Sequence, residues 1–162
     1  MKIFNSAHKN SWSRWALLPL RLIIGFGFMA HGYAKLSKGI DGFANILQTI
    51  GVPAPDLTAW ATALVEFFGG LAILAGAFVP IVSIPLVIVM VAAMLTVHLP
   101  FGFSSVKLIA MTGNGPQFGT IGYEVNLLYI AGLLALVLGG ASPFSVDGWL
   151  VRRKERVETS ES

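Results

Sequence analysis

The sequence predicts an all-α membrane protein, an up-down-up-down bundle of four transmembrane helices with both termini on the cytoplasmic side. Three observations carry that expectation. Of 162 residues, 55% are hydrophobic and 12% charged, against about 25% charged in a soluble domain. Four apolar segments approach the roughly 20 residues that a ~30 Å hydrocarbon slab requires. Lysine and arginine gather beyond the two ends of the apolar region, which is a topology signal.

The segments are about 15–36, 57–79, 81–99 and 122–142, within a single domain over residues 1–150. The first keeps Arg21 inside its apolar run and no small-x-small cleavage site follows, so it reads as a retained span rather than a removed leader. Pro19 falls in its first turn. In the polar connection 37–56, Phe43, Ile46, Leu47 and Ile50 have the spacing of a short amphipathic helix lying on the membrane surface. The stretch from Phe67 to Val106 contains no Asp, Glu, Lys or Arg and is too long for one crossing. Val79-Pro80 divides it, marking a tight hairpin and a new helix start, and Pro85 is expected to bend the third span. Residues 100–121, with four glycines and two prolines, read as a longer polar loop. The tail 151–162 is charged and is expected to be disordered and cytoplasmic. Such short connections allow only neighbouring antiparallel helices, with Gly25, Gly32, Ala72, Gly76, Gly132 and Gly139 permitting close approach.

Of the 11 Lys and Arg residues, Lys2, Lys9 and Arg14 precede the first span, and Arg152, Arg153, Lys154 and Arg156 follow the last. The connections 37–56 and 100–121, with Lys35 at their border, hold three and are expected outside. A net charge of +3 distributed in this way is no nucleic-acid footprint; the expected partner is the lipid bilayer. The absence of cysteine excludes disulfide exchange, Fe–S ligation and thiolate metal sites within this chain, and no metal site is expected. A redox role therefore needs a bound cofactor and a membrane or soluble redox partner.

Ionisable side chains within spans are costly and face a bundle interior. Six candidates stand out: Arg21, His31, Lys35, Glu66, His98 and Glu124. Arg21, Ile24, Phe28, His31 and Lys35 share one stripe of the first helix. With ~1.5 Å of rise per residue and the outer ends of the spans aligned, Arg21 and Glu66 differ by about 9 Å in depth, within reach of a guanidinium, so a buried Arg21–Glu66 ion pair is expected. His31, Lys35, His98 and Glu124 collect at the opposite face from the termini. Each also has a plain structural account: a histidine bonded to a carbonyl, a snorkelling lysine, a carboxylate at a helix N-terminus. Their agreement on one face favours a shared site, with Phe28 and Tyr123 supplying ring contacts.

Taken in order, Arg21-x9-His31-Gly32-x2-Lys35-Leu36, Glu66-x2-Gly69-Gly70-Leu71-x4-Gly76, His98-x3-Gly102-Phe103, Gly122-Tyr123-Glu124 and Phe144-Ser145-Val146-Asp147 resemble the DoxX family. The likeness covers about residues 17–150. It implies a four-helix protein of the bacterial inner membrane, often labelled an oxidoreductase, with relatives described as a subunit of a thiosulfate:quinone oxidoreductase and others linked to complexes that handle oxidative stress. The family's polar positions carry over as the six residues named above.

The leading expectation is a quinone-interacting subunit of a membrane oxidoreductase. His31, Glu124 and Lys35 would hydrogen-bond the quinone or move protons, and His98, Tyr123 and Phe28 would line its site. A haem held between His31 and His98 is the less favoured variant. Two other classes compete: a small-solute or ion transporter, which at this size requires a homo-oligomer, and an assembly or scaffold subunit without chemistry.

Overall fold

The structure is a computed structural model and describes residues 6–142 and 144–160; Lys2 of the topology signal lies outside them. Helix α1 (Ser6–Ser37) begins well before the expected span, so Pro19 falls inside a helix rather than in its first turn. The short α2 (Ile40–Thr49) follows, then α3 (Pro55–Ala75) and α4 (Val79–Ala93). Helix α4 runs on through a π-helical turn (Met94–His98) and a 3-10 turn (Leu99–Phe101). Three stretches are long and apolar enough to cross a membrane: Trp15–Ser37, Pro55–Ala75 and Val79–Phe101. Helix α5 (Glu124–Gly139) has 16 residues, ~24 Å of helix, and is shorter than the expected segment 122–142.

Helix α1 packs on α3 and α5, and α4 packs on the same two partners. Ile24, Phe28, Ile73, Leu86, Leu133 and Leu136 form the core between them. The outward faces are just as apolar: Ile23, Leu71, Ile84, Ile88 and Leu138 are exposed, a surface that water would not tolerate and lipid does. This is a multi-pass membrane protein.

Glycines set the register of α1 on α3. A Cβ on Gly25 would lie 2.7 Å from the Leu74 nitrogen, one on Gly32 2.4 Å from that of Phe67, and one on Gly70 2.3 Å from that of Met29. The two backbones therefore touch, and the facing residues are Gly25 with Leu74, Met29 with Gly70, and Gly32 with Phe67. Gly132 and Gly139 of α5 likewise receive Ile24 and Leu17 of α1.

At the Arg21 end, Gly76 and Phe78 take left-handed conformations in the turn between α3 and α4, and Pro80 sits in the first turn of α4. Its first amides are capped from far along the chain: Phe78 N and Val79 N donate to the two carboxylate oxygens of Asp147, at 2.8 and 3.1 Å. Asp147 N in turn donates to the Gly76 carbonyl. The terminal Phe144-Ser145-Val146-Asp147 motif is thus a clamp on the α3–α4 turn. Beyond it the chain is helical as α6 (Val146–Ser160), which corrects the expected disordered tail; Asp147 in its first turn and the contact to Gly76 anchor its start.

At the opposite, His31 end, α2 buries Ala44 and Leu47 against Ala59 of α3, with Phe43 packed beside them; Ile46 and Ile50 of the expected apolar face are exposed, because the side of α2 turned to α3 is centred on Ala44 and Leu47. The 100–121 segment is more ordered than the expected loop. It carries an antiparallel hairpin of β1 (Leu108–Thr112) and β2 (Gly115–Phe118), turned at Gly113-Asn114. A Gly-Asn pair separating two short strands is a two-residue hairpin signal.

Candidate functional site

A cavity of about 140 Å3 lies at the His31 end between α1, α3, the α4 π turn and α5. It gathers four of the six ionisable candidates: His31 and Lys35 from α1, Glu66 from α3 and His98 from the π turn. Phe28 is fully buried in its wall.

The ion pair inside it differs from the expected one. Lys35 Nζ donates to Glu66 Oε2, whereas Arg21 donates to Ser142 Oγ at 2.6 Å and to the Phe144 carbonyl at 3.1 Å. The register explains the exchange. Aligning the outer ends of the spans misplaces α3 by six residues, about 9 Å, relative to the glycine contacts. In the observed register Glu66 faces Tyr33, near Lys35, whereas Arg21 lies beside Gly76 at the end of α3, ~15 Å from Glu66 along the helix. Glu66 is 3% exposed, and Lys35 also lies 5.0 Å from the Phe43 ring of α2.

His98 Nδ1 lies 3.2 Å from the Ile121 carbonyl, which orients its ring at the cavity wall. The π turn that carries it widens the helix where Thr96 Oγ1 donates back to the Ala92 carbonyl at 2.8 Å. Asn126 of α5 donates its amide to the Met90 carbonyl at 3.3 Å, just before the π turn. Single π turns inside α-helices are frequent at functional sites.

Glu124 and Tyr123 fall outside the cavity. Glu124 Oε2 accepts from Ser105 N at 2.9 Å, and its own amide donates to the Phe103 carbonyl. Tyr123 packs edge-on against Phe103, with ring centroids 5.6 Å apart. Both residues pin the loop after α4 to the start of α5, and so hold the cavity's rim from behind.

Asn126 and Tyr129 line the cavity but were not among the expected site residues. Neither side chain is charged, and the amide of Asn126 within an otherwise apolar span is the signal the sequence carries. Tyr129 stacks edge-on with Phe28 at 5.0 Å. Its hydroxyl occupies the place of a Cβ on Gly27, 1.9 Å from where that atom would be, so glycine at 27 admits the ring.

The cavity has aromatic rings on one side, two histidines, an ion pair and an amide on the others. A space of about 150 Å3 accepts a single six-membered ring, and these walls could hold such a ring by its edges and exchange protons with polar atoms on it. Compared with known families, the chain matches the model described as DoxX over residues 16–99. No curated protein and no solved structure shows a significant match.

Proposed function

This chain belongs to the DoxX family, and from that footing we propose that it is a quinone-interacting subunit of a membrane oxidoreductase in the bacterial inner membrane, with four spans and both termini cytoplasmic. One observation supports the site most: His31, Lys35, Glu66 and His98, from three separate chain segments, meet at one ring-sized cavity with Phe28 and Tyr129. A quinone bound there would supply two-electron, two-proton chemistry, the electrons coming from a membrane or soluble redox partner. His31 would hold one of its carbonyl oxygens, His98, whose Nδ1 is taken by the Ile121 carbonyl, would accept a proton from the reduced ring's hydroxyl at Nε2, and Phe28 and Tyr129 would fix the ring plane. The Lys35–Glu66 pair would pass protons to its edge. Glu124 and Tyr123 would act at second hand, by fixing the rim. Haem between His31 and His98 is the weaker use of the same residues, since a cavity of about 140 Å3 accepts one six-membered ring and not a porphyrin.

The reading is tested by titrating the purified protein in detergent with a short-chain quinone, followed by calorimetry or fluorescence. The parent is expected to bind, and His31→Phe to weaken binding about three- to tenfold, the worth of one hydrogen bond. Glu124→Gln is expected to leave affinity unchanged. No quinone affinity in the parent, or no effect of His31→Phe, would reject the site.

Orientation has its own test. Single cysteines placed at Ser37 and Asn114 are expected to react with an impermeant maleimide in intact spheroplasts, and one at Arg152 to remain unlabelled until the cells are opened. The reverse pattern would invert the topology.

A further inference from the structure

A second and larger cleft, of about 450 Å3, lies at the Arg21 end between the start of α4, the end of α5 and the first turns of α6. We propose that it binds one anionic phospholipid, with an acyl chain in the cleft and the phosphate at the arginines of α6. No residue lines both cavities, so this inference stands apart from the quinone reading.

The cleft's walls are apolar: Phe78, Val79, Ile81, Leu136, Val137 and Leu150. Phe78 and Ile81 are 57% and 67% exposed, so the cleft opens sideways onto the face that lipid covers. An apolar hollow of this size, within the roughly 300–1,000 Å3 of small-molecule sites, is filled there by a hydrocarbon chain rather than by water. Its polar atoms sit at one end only. Arg21 forms the deep edge, 4% exposed, with Ser142 and Phe144 as partners. The Asp147 carboxylate is occupied by the Phe78 and Val79 amides, which leaves the rim to cations.

The nearest exposed cations in sequence are Arg152 and Arg153 of α6, directly after the lining residues Leu150 and Val151. Arg152 is exposed and makes no hydrogen bond or ion pair among the described residues. Its Nη1 lies 3.3 Å from the place of a Cβ on Gly148, beside Ser145 Oγ and the Ser142 carbonyl, the same segment that Arg21 holds. Arg153 lies 5.4 Å from the Trp149 ring, and Trp149 is half exposed, as suits an indole at a membrane–water interface. An apolar cleft with Arg21 at its deep edge, and with Arg152 and Arg153 next in sequence to its lining residues Leu150 and Val151, matches an amphiphile with a chain and an anionic head. Guanidinium also binds phosphate through two parallel hydrogen bonds. A zwitterionic lipid offers the same chain but less net charge, so the arginines set the preference.

The protein is to be reconstituted in bilayers of equimolar phosphatidylglycerol and phosphatidylcholine, released into mild detergent, and its retained lipids counted by native mass spectrometry. The parent is expected to keep one phosphatidylglycerol in preference to phosphatidylcholine. Arg152→Gln with Arg153→Gln, both on the exposed surface, is expected to lower that preference about fivefold per arginine, the equivalent of roughly 1 kcal/mol each. Ala141→Trp, which fills the cleft, is expected to remove both lipids while thermal unfolding stays cooperative. Equal retention of the two lipids by the parent would overturn the proposal. So would an unchanged preference in the arginine variant, or a lipid-free dimer in place of the lipid-bound chain.

Discussion

Lys35→Met is expected to destabilise the protein in detergent by about 3–5 kcal/mol, the usual cost of stranding one member of a buried ion pair. Glu66 has little choice of environment: it is 3% exposed, and its salt-bridge partner among the described residues is Lys35. Glu66→Gln is expected to cost less. The Lys35 side chain is 21% exposed, so it can turn towards the surface and keep its contact with the Phe43 ring. The double variant is expected to recover a large part of the Lys35→Met loss, because it buries a neutral amide in place of an unpaired charge. Thermal unfolding of the four proteins closes the cycle. Simple addition of the two single effects would show that the residues are not coupled.

The second large effect is expected from Gly32→Val. A Cβ there would lie 2.4 Å from the Phe67 nitrogen and 2.8 Å from the Ala63 carbonyl oxygen, and backbone atoms cannot move aside as a side-chain tip can. Helices α1 and α3 must then separate or slide, at a cost above the roughly 1–3 kcal/mol of ordinary overpacking. A slide would also carry Glu66 away from Lys35 and open the cavity at the His31 end. Gly42→Ala supplies the contrast: nothing lies within 4 Å of its Cβ position in α2, and alanine favours a helix interior by roughly 0.5–1 kcal/mol over glycine. Unfolding midpoints in detergent are expected to fall for Gly32→Val and hold or rise for Gly42→Ala. Equal tolerance at both positions would remove the glycine contact as the origin of the register.

Read alone, the sequence places this chain in a membrane, locates its long apolar stretches to within several residues, and marks α2 as an amphipathic helix. Those properties follow from composition and from periodicity within a single helix, and such information is local. It also pointed to His31, Lys35, Glu66, His98 and Phe28, because a charge or a histidine inside an apolar span is conspicuous without any partner in view. Which side chains pair is settled by the packing of the helices. A slide of about 9 Å between two helices leaves every hydrophobic pattern intact, yet it exchanges Arg21 for Lys35 as the partner of Glu66. That slide is fixed by backbone contacts at Gly25, Gly32 and Gly70, whose glycines are visible in the sequence but whose opposite numbers are not. The Asp147 cap on Phe78 and Val79 spans 69 and 68 residues, and for the same reason the sequence of α6, which follows it, resembles a loose tail. A polar segment is judged unstructured when its own residues bury little, whereas here its first turn is held by a distant part of the fold.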